Sequence, residues 1–131
     1  MRRLALIVIL LVLGSADVFG QKPCTPTKHA KLPVVYSLTY HAARRKLLAA
    51  GWKPVRRSVQ DGGVGIRYGN GPLFWKRGYR EVENCAGAEL SECSFLFKDR
   101  YGNRLRVITV GEEDEKGTHF ARVKGREFIC E

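Results

Sequence analysis

Cys93-Ser94-Phe95-Leu96-Phe97-Lys98-Asp99-Arg100-Tyr101-Gly102-Asn103-Arg104-Leu105-Arg106-Val107-Ile108-Thr109-Val110 decides the fold. Residues 94–98 alternate, putting Phe95 and Phe97 on one face, the period of a strand with one buried side. Residues 99–103 read as a hairpin loop, with Gly102 free to take a positive φ. Residues 104–110 read as the returning strand, with Leu105 and Val107 on one side and Ile108 and Val110 on the other. Beyond it, 112–116 is expected to be an acidic, solvated turn. A third strand is expected over 118–124, and 127–130 should close the chain at a cysteine.

Upstream the period changes. Tyr40, Ala43, Leu47 and Ala50 recur at helical spacing, with Leu48 beside them, and predict a helix over 37–50. Ser37 or Thr39 can cap it and Gly51 can stop it, with Trp52 folding back. Residues 21–36 carry Pro23, Pro26 and Pro33 and read as an extended lead-in, with a short edge strand at 32–36. Lys53-Pro54-Val55 leaves the helix extended. Residues 56–72 hold five glycines and read as a loop, with a short strand at 65–68. Residues 73–83 fit a second short helix or turn. The predicted class is α+β, two short helices followed by an antiparallel meander of three to four strands, stabilised by disulfides.

The first residues set the expected compartment. Met1-Arg2-Arg3 is a basic start, residues 4–13 are unbroken apolar, and small residues follow up to Gly20. This is a signal-peptide pattern over 1–20, with cleavage after Gly20 or, as second choice, Ala16. The expected product is exported, to the periplasm or the extracellular space, and residues 21–131 form one small domain. No later stretch is apolar enough to cross a membrane. Four cysteines, Cys24, Cys85, Cys93 and Cys130, lie in that part. An even count in an exported chain points to disulfides, and three pairings are open. The favoured one joins Cys85 to Cys93 in a tight loop and Cys24 to Cys130 across the ends. A four-cysteine metal site lacks the usual CxxC pairs.

Charge is the most informative bulk property. The chain has 23 basic and 13 acidic residues. Residues 22–80 hold thirteen basic residues and one acid, whereas 81–131 hold eight basic and eleven acidic ones. A one-signed field attracts anions and speeds their encounter, and it also keeps an exported chain in solution. The candidate partner is therefore anionic: an acidic protein, an envelope polymer or nucleic acid. Basic and aromatic residues interleave at Arg56, Arg57, Arg67, Tyr68, Phe74, Trp75, Lys76, Arg77, Tyr79 and Arg80. That mixture suits stacking and phosphate contact, or a protein interface, unless the rings are core and the charges their flank. Arg44 and Arg45 on the first helix extend the set.

Catalytic patterns are weaker. His41 and His119 could act as base and acid in metal-independent RNA cleavage, but His41 is expected to be solvated and His29 sits in the lead-in. There is no G-x-S-x-G elbow, no EF-hand spacing in the acidic run and no dinucleotide fingerprint in Gly63-Val64-Gly65-Ile66-Arg67-Tyr68-Gly69. No cofactor is implied. The function expected is an exported, non-catalytic binding module for an anionic partner, inhibitor- or immunity-like. The alternative is a small secreted hydrolase, such as a nuclease using His41 and His119.

Two longer motifs carry a resemblance. Tyr40-x-x-Ala43-Arg44-x-x-Leu47-x-x-x-Gly51-Trp52-x-Pro54 is similar to the opening of a group of short, uncharacterised periplasmic bacterial proteins. Glu81-Val82-x-x-Cys85-x-Gly87, then Cys93-x-Phe95-x-Phe97-x-Asp99-x-x-Gly102-x-x-Leu105-x-Val107-x-Thr109-x-Gly111-Glu112, is similar to their second half. The resemblance spans residues 36–112 and implies export, a Cys85–Cys93 bond and an α+β domain, with no activity attached. Many members have proline where this chain has Arg80. The element order also resembles small β-lactamase-inhibitor-type modules of bacterial envelopes, in architecture alone.

Overall fold

A computed structural model of the chain describes residues 24–58 and 66–130. The expected signal peptide, residues 21–23, Glu131 and most of the glycine-rich loop (59–65, with Asp61, Gly62, Gly63 and Gly65) lie outside the described residues.

Helix α1 (Tyr40–Ala49) begins where Thr39 caps it, its Oγ1 accepting the Ala42 amide at 3.3 Å. The helical spacing of Tyr40, Ala43 and Leu47 makes one buried stripe. Leu48 lies about 100° further round and is exposed, not part of that stripe. Gly51, at φ +95°, turns the chain out of the helix, and the Trp52 amide bonds back to the Leu47 carbonyl at 3.0 Å. Trp52 is then buried and its indole N–H donates to the Lys31 carbonyl at 2.9 Å, so the lead-in is pinned over the core.

Strand β1 (Lys53–Pro54) comes next, followed by helix α2 (Gly71–Lys76). α2 is shorter than the helix expected over 73–83. Gly78 takes φ +84° and turns the chain, and the sequence after it enters the sheet as β2 (Val82–Cys85). β3 (Cys93–Lys98), β4 (Arg104–Val110) and β5 (Arg122–Ile129) complete five antiparallel strands. β3 and β4 form the expected hairpin, with Phe95 opposite Val107 and Phe97 opposite Leu105. β4 then pairs β5 in the order β3-β4-β5. The other edge of β3 is shared: β1 pairs its Phe97–Lys98 end and β2 its Cys93–Phe95 end. The sheet thus recruits a strand from between the helices and is wider than a meander following them.

The helices cover one face. Tyr40 stacks on Phe95 with centroids 3.6 Å apart, and Phe74 meets Phe95 edge-on at 4.9 Å. Such aromatic pairs add about 0.5–1.5 kcal/mol beyond the area they bury. Leu47, Trp52, Phe97, Leu105, Val107 and Val123 continue the core.

Three further expectations shift. Residues 32–36 form no strand, because Pro33 has no N–H to give a ladder. Pairing to β5 begins later: the Ser37 amide donates to Val123 and the Tyr40 amide to Ala121, each at 2.9 Å. Residues 66–68 also lie outside any strand. The third strand of the meander is not 118–124 but Arg122–Ile129, because residues 112–120 are spent in a loop anchored inward by Glu113. Cys85 and Cys93 face each other across β2 and β3 and are bonded, with Cα atoms 4.1 Å apart. Cys24 and Cys130 bring the ends together with Cα atoms 5.9 Å apart, within the disulfide range.

Candidate binding surface

The basic residues singled out in the sequence divide into two sets. Arg44 is tied inward. Its Nε donates to Glu81 Oε1 at 2.5 Å, and its guanidinium lies 4.6 Å over the Tyr79 ring. Burial works against the Arg44 charge, but the hydrogen bond and charge of Glu81 outweigh it and raise its pKa. Tyr40 donates to the same carboxylate oxygen at 2.7 Å. Burial first, then Glu81, lifts the phenol well above its ordinary value. Glu81 Oε2 has no hydrogen-bond partner among the described residues.

Arg77 is likewise structural. Its guanidinium donates to Glu113 Oε2 at 2.5 Å and to the Asp114 carbonyl at 2.7 Å. Glu113 also accepts from the Ala121 amide at 3.1 Å and from His41 Nε2 at 3.2 Å. With that N–H given to Glu113, His41 Nδ1 accepts from the Tyr79 hydroxyl at 2.8 Å. Asn70 holds the same loop, its side chain donating to the Gly111 carbonyl and accepting the Glu113 amide. The run Glu112-Glu113-Asp114-Glu115 is therefore not a uniformly solvated turn, and His41 is not solvated on both nitrogens. The alternation of charge and ring from Arg77 to Glu113, His41, Tyr79, Arg44, Glu81 and Tyr40 is a polar seam locking α1, α2 and residues 111–121 together.

Arg80 lies 4.0 Å over the Trp75 ring and donates to the Trp75 carbonyl, and both Trp75 and Tyr79 pack on the core. Arg57 is half-buried beside Glu83, and Lys76 pairs with Glu115 at 3.0 Å. Arg45, Arg56 and Arg67 remain exposed. The proposed patch is thus divided: Phe74, Trp75, Tyr79 and most of its guanidinium groups serve internal contacts, whereas Tyr68 is exposed. His119 is exposed and bonds Asp114 Oδ2 at 3.0 Å, so each histidine has its own carboxylate and the two share no contact. Hydrogen bonds from Thr118 and His119 hold the Asp114 carboxyl below the usual range.

A second basic region was not singled out in the sequence. It surrounds the β3–β4 hairpin. Lys53 is the cross-strand neighbour of Lys98, and Lys98 of Arg104, so three cations stand in a row across β1, β3 and β4. At the hairpin tip, Lys28 Nζ lies 4.8 Å from the Tyr101 ring centroid and the Arg100 guanidinium 4.7 Å. Residues 28–31, 53 and 98–104 contain six basic residues and one acid, Asp99. Asp99 is buried and fully engaged. Its Oδ1 accepts the Tyr101 and Asn103 amides, and its Oδ2 accepts the Ala30 amide and the Asn103 side chain, all at 2.9 Å. Burial would raise this carboxyl, but those hydrogen bonds prevail and lower it.

Among the described residues no cluster of three or more His, Cys, Asp or Glu side chains could hold a metal ion, and no helix is long and apolar enough to cross a membrane. No protein-family model, curated protein or solved structure matches the chain.

Proposed function

We propose that this chain is a non-catalytic binding module that engages an anionic partner through its exposed cations, and that it is exported, as the periplasmic resemblance implies. The observation that supports this reading is where the acids go. Glu81, Asp99 and Glu113 are buried, at 0%, 5% and 6% exposure, and each is used to hold the fold together. Glu81 and Glu113 are paired to Arg44 and Arg77, and Asp99 bonds backbone amides and Asn103, so these acids are spent away from the exposed Arg45, Lys53, Arg56 and Lys98, and an uneven field of that kind draws anions. The hydrolase alternative has no matching support, since His41 and His119 each bond a separate carboxylate.

The test uses immobilised polyanions of different chemistry (heparin, polyglutamate, single-stranded DNA) and the mature, oxidised protein at low and high salt. The reading expects retention at low salt that weakens as salt screens the field. No retention on any polyanion at low salt would overturn it. Reversal of Arg56, Arg57 and Arg77 together is a poor probe. Arg77→Glu sets a carboxylate against buried Glu113 and damages the fold, so Arg45, Arg56 and Arg67 are the usable positions in that region.

A further inference from the structure

We infer that the pole around the β3–β4 hairpin binds an acidic polysaccharide, through Lys28, Lys53, Lys98, Arg100 and Arg104 grouped about Tyr101. The inference rests on the anion-binding reading above and gives it a location and a ligand class.

The shape of the charge favours a chain of anionic groups over a single ion. Lys53, Lys98 and Arg104 occupy neighbouring strands in register, so their Cα atoms repeat at roughly the 5 Å strand spacing and make a line across the sheet. Like charges placed directly opposite are unfavourable in a sheet, and a ligand with spaced carboxylates or sulfates relieves that repulsion between Lys53 and Lys98. Tyr101 adds a second grouping. Its π-face attracts both Lys28 and Arg100, and Arg100 Nη2 donates to its hydroxyl at 2.5 Å. Asp99, the acid of these segments, takes its four hydrogen bonds from the backbone and the Asn103 side chain and not from Lys28, Lys53, Lys98 or Arg100. Those same bonds fix the backbone of the hairpin and of the Lys28 segment.

Other polyanions fit less well. Single-stranded nucleic acid gains much of its affinity by stacking bases on open rings, and the exposed ring at this pole, Tyr101, already carries two cations. A lipid surface asks for an apolar face beside the charge, and Tyr101 is the only exposed large hydrophobic residue of these segments.

The experiment is fluorescence anisotropy with a labelled heparin fragment and a labelled polygalacturonate fragment. Single-stranded oligonucleotide and phosphatidylglycerol vesicles serve as competitors. Two triple variants are compared with the parent: K53E/K98E/R100E at the pole and R45E/R56E/R67E away from it. All six side chains are exposed, and K53Q/K98Q/R100Q with a matching near-UV spectrum guards against a folding artefact. The expected result is glycan binding weakened about tenfold to a hundredfold by the pole variant, the loss of three exposed charge contacts, and much less by the other. Equal weakening by both variants, or tighter binding of oligonucleotide or vesicles than of either glycan, overturns the assignment of site or ligand while leaving an anion-binding module. Absence of binding to every polyanion by the parent protein overturns the underlying reading as well.

Discussion

Replacing Glu113 by alanine tests whether the acidic run is an anchor or a solvated turn. The carboxylate is buried and receives Arg77 Nη1 at 2.5 Å, the Ala121 amide at 3.1 Å and His41 Nε2 at 3.2 Å. Breaking a buried pair by removing one partner costs about 3–5 kcal/mol. The lower part of that range applies to the pair itself, because the Arg77 side chain is 26% exposed and keeps the Asp114 carbonyl. The orphaned Ala121 amide adds about 1–3 kcal/mol. A net loss of about 4–6 kcal/mol is expected, enough to lower the melting temperature by more than about 10 °C in a domain of this size. Urea unfolding followed by fluorescence suits the measurement, since Trp52 is buried in the fold. Glu113→Gln should cost less, because an amide oxygen still accepts the Ala121 N–H. A double-mutant cycle with Arg77→Ala should give a coupling of about 1–3 kcal/mol. A cost under about 1 kcal/mol for Glu113→Ala, with no coupling to Arg77, would refute the seam.

Two other tests concern the frame of the basic pole. Asp99 has its folded pKa lowered from 3.8, so its contribution to stability is complete above that value and is lost as pH falls through the folded value. Acid unfolding of the parent should therefore steepen below pH 3.8, and Asp99→Asn should be less stable at neutral pH and lose that part of the acid dependence. An unchanged pH profile would contradict the assigned hydrogen bonds. Loop entropy assigns about 5 kcal/mol to a Cys24–Cys130 link and about 2.5 kcal/mol to Cys85–Cys93, from separations of 106 and 8 residues. Non-reducing peptide mapping should recover those two pairs, and C24S/C130S should destabilise more than C85S/C93S. Any other pairing would contradict the closure of the ends.

What the sequence made legible was local. Thr39, the Tyr40–Ala43–Leu47 spacing and Gly51 define α1 within a few residues of one another. The hairpin follows from alternation on both sides of residues 99–103. The distant partnerships were not legible. Nothing near Glu113 separates it from Glu112 or Glu115, because its inward turn depends on Arg77, 36 positions earlier. Arg44 looks like any solvated helix arginine until Glu81 arrives from 37 residues away. Charge averaged along the chain also hides this surface. Lys98, Arg100 and Arg104 lie in the half whose net charge is negative, yet the sheet register delivers them to Lys53, and the Asp99 bonds deliver them to Lys28. A one-dimensional window cannot see a cluster gathered from three segments, nor an acid removed from the surface by its hydrogen bonds. The one signal available was the composition of residues 98–104, three cations to one acid in a turn.

The most direct measurement of the central claim is amide chemical-shift mapping of the oxidised protein during titration with a short acidic oligosaccharide at low salt. The account predicts saturable shifts concentrated at Lys28, Lys53, Lys98 and residues 100–104, with the seam from His41 to Glu113 unmoved. Absence of shifts, or shifts centred on Arg45, Arg56 and Arg67 with the hairpin silent, would contradict it.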